Sequence, residues 1–379
     1  MVESPRTIES SQGAQLLGVS PERSNLFFAD YVRYFGKNAA INSMKRNGTD
    51  TLKNQLYEII PDPDISYFGV KEPMVAKFYS GPADKAAEGL FREYNGIEFM
   101  NKEGFSGVPQ ALHKNFGGLF AIYSFIDGEH KTAKELTRSN IDDMLGFMER
   151  LQQYKPNDIS SSALKIDPSV SLGTPALLTA DDYFYHTFSR YSQFNNLYLE
   201  AYKSGKDFLS KEIVDLIDFA PQMVAEFSDL DELLIPPLKK EELRLSPGDM
   251  GTHNTIFTKE EGEVKGFVDF EKFSWQDPVR PFAHFLTHNR MRELSIGNFS
   301  FAVEKVFDII DPKYHSRFVI VSQYLSLEWF IKSMIWLMPQ KLEELQQVNK
   351  DFDRESFVAK QTALLEERAL LHSLMMKSF

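Results

Sequence analysis

The feature that most constrains this chain is an acid closing an apolar run. Gly266-Phe-Val-Asp-Phe-Glu271 sets Asp269 between apolar neighbours. A carboxylate placed so is costly to bury unless it is paired or binds a cation. Upstream, Leu245-Ser-Pro-Gly-Asp-Met-Gly-Thr-His-Asn-Thr-Ile-Phe257 offers Asp249 and Asn254, five residues apart. Together the two stretches read as a loop, a short strand, a turn and a second strand ending at Asp269. Gly248 and Gly251 permit a tight backbone course beside Asp249.

A carboxylate, a carboxamide and a second carboxylate fit metal-assisted phosphoryl transfer. In that chemistry Asp249 orients and deprotonates a hydroxyl, while Asn254 and Asp269 hold Mg²⁺ on nucleotide phosphates. Taken singly, Asp249 and Asn254 are also ordinary turn residues. The combination with Asp269 favours chemistry. Lys77, inside the apolar segment Pro73 to Tyr79, calls for a phosphate or carboxylate partner, and Glu93 on the following helical segment suits it. An exposed edge strand beside a surface helix accounts for that pair equally well.

Composition narrows the classes. A chain of 379 residues is long for one core, so two lobes are expected. No cysteine is present, which excludes disulfides, a thiol nucleophile and a cysteine zinc site, and fits a reducing, cytoplasmic setting. The net charge of −12 argues against nucleic acid or anionic membrane as partner. Met1 to Gln15 is polar, so no secretory leader is expected. The most apolar run, Phe318 to Met338, is broken by Gln323, Glu328 and Lys332 and reads as a buried helix rather than a membrane span. No Walker A loop, Gly-x-Gly-x-x-Gly or Gly-x-Ser-x-Gly occurs. His284 and His288 stand four apart, but no third zinc ligand stands out, so they read as packing or surface residues.

In chain order, residues 1–25 form a polar lead-in and 26–127 a β-rich N-terminal lobe. Strands are expected over 39–45, 55–60, 73–79 and 117–126. A turn-forming tip over Arg46 to Lys53 would cover a nucleotide, and a helix spans Ala83 to Lys102. Residues 128–379 form a mainly helical lobe that begins with one helix over Lys131 to Tyr154. It includes a Ser160–Ser162 linker and the aromatic-rich stretch Tyr183 to Tyr202, read as core. The expected class is α+β and bilobal, with a ligand cleft between lobes.

Ser246-Pro-Gly-Asp249 through Asn254, then Phe267-Val-Asp269-Phe-Glu271, then Gln276-Asp277-Pro278, resembles the aminoglycoside phosphotransferase and choline kinase-like family, which has the protein-kinase-like fold. The resemblance implies Asp249 as catalytic base and Asn254 and Asp269 as Mg²⁺ ligands. It implies Lys77 as the strand lysine on the nucleotide phosphates, with Glu93 as its helix partner. It makes Ser124, Phe125 and Ile126 the lobe-linking segment whose backbone would meet adenine. The family's loop histidine is Ser246 here, a residue that mainly supports the loop. The expectation is therefore an ATP- or GTP- and Mg²⁺-dependent transferase acting on a hydroxyl of a small molecule: a sugar, an amino sugar, an amino alcohol or an aminoglycoside. The acceptor and the oligomeric state stay open. A non-catalytic nucleotide-binding scaffold and a metal hydrolase using the same acids are the alternatives.

Overall fold

The computed structural model describes residues 19–35, 41–47, 54–61, 72–156, 179–203, 236–348 and 352–376. Most of the lead-in, most of the tip at 46–53, and the Ser160–Ser162 linker lie outside the described residues. The described residues form two units. One runs to His130 and takes in Asn254–Ser274; the other holds the remainder.

The first unit is built on an antiparallel sheet of β1 (Ile41–Asn47), β2 (Gln55–Pro61), β3 (Met74–Phe78), β4 (Ala111–Asn115) and β5 (Phe120–Ser124), in the order β1-β2-β3-β5-β4. Its strands alternate faces, as the two-residue period requires. On β3, Met74, Ala76 and Phe78 join one core with Tyr57, Ile59 and Phe120. Lys77, between Leu56 and Ala121 in register, takes the other face. Strand β5 is shorter than the expected 117–126 because Leu119 turns with φ 49°.

The core face is covered by α1 (Pro21–Phe35), a helix that starts inside the expected polar lead-in and was not expected from the sequence. Phe27 sits 5.5 Å from the Phe78 ring and 5.4 Å from Phe120, and full burial of such a ring contributes roughly 1.5–3 kcal/mol. Arg23 pins the helix by donating to the carbonyls of Gly118, Tyr79 and Leu119. The buried positions Ser24, Phe27 and Tyr31 carry the helical spacing that would have revealed it. Helix α2 (Ala83–Lys102) has the expected bounds and turns Leu90, Glu93, Ile97 and Met100 inward.

The short strands Thr255–Phe257 and Val264–Phe267 pair antiparallel in this unit. The sequence assigned them to the second lobe, but backbone bonds carry them here. Phe257 exchanges both bonds with Glu129, at 2.8 and 3.0 Å, and Phe267 N donates to Gly107 O at 2.7 Å. Gly266 permits that approach, since a Cβ there would lie 2.5 Å from the Gly107 oxygen.

In the second unit the expected helix from Lys131 begins later, as α3 (Arg138–Gln152). Thr137 caps it by accepting from Asn140 N, while the Asn140 side chain accepts from Thr137 N, so the first turn is fixed at 138. Among the described residues the further α-helices are α4 (Ala180–Lys203), α5 (Arg280–Thr287), α6 (Ile296–Ile309), α7 (His315–Leu337), α8 (Pro339–Val348) and α9 (Arg354–Met376). Helix α7, the run expected to be a buried helix, packs against α4, α5 and α9. No helix among the described residues is long and apolar enough to cross a membrane. Helix α4 is only partly core: Tyr183 and Phe194 are buried, but Tyr185 and Tyr202 are exposed. Asp277 ties the unit together. Its carboxylate accepts from Arg317 Nε on α7 at 2.7 Å, from the Tyr183 hydroxyl on α4 at 3.0 Å, and from Val279 N at 3.0 Å.

Candidate active site

In the first unit the site forms around Lys77. Strand β3 delivers this lysine to the face opposite the aromatic core, and only 4 % of it is exposed. Its ammonium meets Glu93 Oε2 at 2.6 Å and hydrogen-bonds Asp269 Oδ1, with Glu271 Oε2 at 4.0 Å. Tyr79, two residues on and therefore on the same face, donates its hydroxyl to Glu93 at 2.7 Å and contacts the Tyr123 hydroxyl at 2.9 Å. Burial pulls the Lys77 pKa down, but Asp269, Glu93 and Glu271 outweigh it and hold the pKa above the ordinary value. Burial pushes the Glu93 carboxyl up to about 7 against the pull of Lys77. The lysine is thus a fixed cation.

Asp269 reaches that cation from a left-handed backbone, φ 66°, just past the strand end. A non-glycine residue held there persists only where its surroundings impose it, and such residues cluster at functional sites. The Asn254 carbonyl accepts from Val268 N at 2.9 Å, which sets Asn254 beside Asp269. Asn254 is buried, whereas the Asp269 side chain is 41 % exposed. One lysine faces three carboxylates here, and the Asn254 backbone lies beside them. Hard oxygen donors with surplus negative charge suit Mg²⁺.

Helix and strand thus bring together Lys77, Glu93, Asp269 and Asn254. The sequence reading did not assign Glu271, Tyr79, Tyr123 or Asn54. Glu271 accepts from the Asn54 side chain at 2.5 Å. The period-two relation of Lys77 to Tyr79 was the available signal for Tyr79; Asn54 and Tyr123 carry no local signal. In the segment Ser124–Ile126, the N–H groups of Ser124 and Phe125 are already engaged with the carbonyls of Gln110 and Pro73.

Asp249 lies in the second unit, in the loop after the short strand Arg244–Ser246. Ser246 is buried and its hydroxyl accepts from Gly248 N at 3.1 Å, which supports the loop. His253 Nε2 and His288 Nε2 approach Asp249 Oδ1 at 3.4 and 3.5 Å. The sequence reading had given His288 only a packing or surface role. The first residue past α5 carries it onto the loop.

Comparison with known proteins gives a family and a fold. The model of the phosphotransferase enzyme family matches residues 66–297. Among solved structures, the ADP-bound aminoglycoside phosphotransferase APH(2'')-Ib is 17 % identical, with a TM-score of 0.52 over 93 % of this chain and 98 % of that one. The GDP complex of aminoglycoside 2'-phosphotransferase-IIIa is 15 % identical, TM-score 0.52, over 93 % and 99 %. Spectinomycin phosphotransferase APH(9)-Ia, in complex with ADP and spectinomycin, is 11 % identical, TM-score 0.54, over 90 % and 93 %. At these identities the likeness establishes a kinase-like fold, with a small strand-containing N-terminal region and a mainly helical C-terminal one. No curated protein matches the chain by sequence.

Proposed function

The chain belongs to the phosphotransferase enzyme family, and from that membership we propose that it moves the terminal phosphoryl group of ATP or GTP onto a hydroxyl of a small molecule. The observation that carries the reading is Asp269. Glu93 alone would satisfy a structural lysine, yet Asp269 also closes on Lys77 from a left-handed backbone. A fixed cation beside exposed carboxylate oxygen suits a nucleotide phosphate and its metal.

In this reading Lys77 holds the nucleotide phosphates, and Glu93, steadied by Tyr79, holds Lys77. Asn254 and Asp269 would hold Mg²⁺, which when bound neutralises charge on the phosphates. Asp249 accepts the proton of the acceptor hydroxyl as it attacks. The N–H groups of Ser124 and Phe125 are engaged with Gln110 and Pro73, so in this reading the Ile126 backbone would meet the purine edge. The neighbours were crystallised with ADP or GDP, so both bases belong in the test. The acceptor in this proposal is a sugar, an amino sugar or an amino alcohol.

The test is a thermal shift with ATP and with GTP, with and without Mg²⁺, on wild type and on Asp269→Ala. Saturation at a hundredfold over Kd stabilises by about 2.7 kcal/mol. A shift that grows with Mg²⁺ and shrinks in the variant is expected. No shift with either nucleotide would sink the reading. Asp249→Ala is expected to keep the nucleotide shift and lose turnover by orders of magnitude.

A further inference from the structure

Asp249 is not held by its loop alone. His253 comes from the same loop and His288 from just beyond α5, and their Nε2 atoms approach one oxygen, Oδ1, at 3.4 and 3.5 Å. The two rings are stacked, 4.7 Å between centroids and 13° from parallel. Trp329 of α7 abuts His288 edge-on at 4.6 Å. A Cβ at Gly251 would come within 3.0 Å of His253 Nδ1, so the loop glycine leaves room for the first ring.

The tautomers follow from the remaining nitrogens. Arg290 N donates to His288 Nδ1 at 3.0 Å, so that nitrogen carries the lone pair and the neutral ring carries its proton on Nε2. His253 Nδ1 is buried without a hydrogen-bond partner. A buried orphan N–H is rarer and more costly than a buried bare acceptor, so this ring also keeps its proton on Nε2. Asp249, His253 and His288 also offer ligand atoms within 4.8 Å of one another, close enough for a tetrahedral cation. Ligation would need the lone pair of His288 Nε2, and the bond from Arg290 puts a proton there instead.

We propose that His253 and His288 are positioning residues for Asp249, each turning an Nε2–H toward Oδ1 so that the pair fixes the carboxylate that receives the acceptor's proton. The proposal rests on the reading of Asp249 as base. At 3.4 and 3.5 Å the two contacts with the buried Oδ1 are not closed hydrogen bonds, and such bonds tighten when catalytic groups engage substrate. A base misplaced by about 1 Å costs on the order of 10²-fold in rate.

Three measurements on the full chain decide it. Two-bond ¹H–¹⁵N correlation spectra at about pH 8, where ordinary imidazoles are neutral, read the tautomers without any turnover. Both rings are expected as Nε2–H; Nδ1–H on either overturns the assignment. Next, ADP release from Mg²⁺-ATP with water as acceptor is compared in His288→Phe, which keeps the packing, and His288→Gln, which keeps a donor. His288→Phe is expected to lower kcat about 10²-fold with the nucleotide KM unchanged, and His288→Gln to recover to within about 10-fold. Equal losses in both variants overturn the positioning role. Finally, Zn²⁺ is added in a thermal shift. A rise in wild type that His288→Gln abolishes would make the cluster a cation site and overturn the proposal. If wild type shows no nucleotide shift, the functional reading fails by itself, while the tautomer result stands apart from it.

Discussion

Replacing Arg317 by Met isolates what the Asp277 junction contributes. The side chains of Arg317 and Asp277 are 3 % and 0 % exposed, so no water is available to take over from a lost partner. Removing one member of a buried pair costs about 3–5 kcal/mol, because the other charge is left uncompensated. Here the carboxylate keeps the Tyr183 hydroxyl and Val279 N, which places the loss near the lower end, at about 3 kcal/mol. Arg317 Nη1 also donates to Pro236 O at 2.7 Å, and losing that bond adds about 1 kcal/mol. The total, about 4 kcal/mol, is a large share of the roughly 5–15 kcal/mol that holds a domain folded. For a unit of this size it corresponds to a fall of roughly 8–16 °C in Tm. Urea unfolding followed by far-UV circular dichroism measures it. Arg317→Met combined with Asp277→Asn removes both charges and is expected to regain about half of the loss. A loss under about 1 kcal/mol in the single variant, or a double variant no more stable than the single, would refute the reasoning.

Two further changes probe other parts of the chain. Glu328 of α7 contacts His186 Nε2 at 3.3 Å and Lys332 Nζ at 2.7 Å. Burial alone raises its carboxyl, but the bond to His186 and the charge of Lys332 outweigh burial and hold it well below the ordinary value. A depressed folded pKa contributes stability that is present above the unfolded value of 4.5 and is lost as pH falls below it. The wild-type Tm should therefore drop more steeply than that of Glu328→Gln between pH 4.5 and 3; parallel curves would remove the argument. Gly266→Ala would press a Cβ to 2.5 Å from Gly107 O and 2.9 Å from Ile126 Cδ1. Overpacking of this kind costs about 1–3 kcal/mol, and an unchanged Tm would mean the strand does not approach so closely.

What the sequence determined by itself was local chemistry and local period. Asp249, Asn254 and Asp269 stood out as candidates because an acid ending an apolar run and a glycine-flanked acid are each odd enough to need a reason. Helix α2 was legible to the residue because Leu90 and Ile97 repeat at helical spacing, and β2 because Gln55 to Ile60 alternate up to Pro61. The same reasoning missed α1, whose buried period starts at a serine, Ser24, before Phe27 and Tyr31, and is blurred by the exposed apolar residues Leu26, Val32 and Tyr34. It started α3 too early because a capping pair, Thr137 with Asn140, looks polar and unremarkable until the chain turns. Only the tertiary structure decided partners. Lys77 could have faced solvent, and it is α2 and the left-handed turn at Asp269 that surround it with acid. His288 carries no local sign of any tie to Asp249, since the two are far apart in the chain. The physical reason is common to both cases. Backbone period is written within a few neighbouring residues, whereas the partner of a buried charge or ring nitrogen is set by which elements pack together.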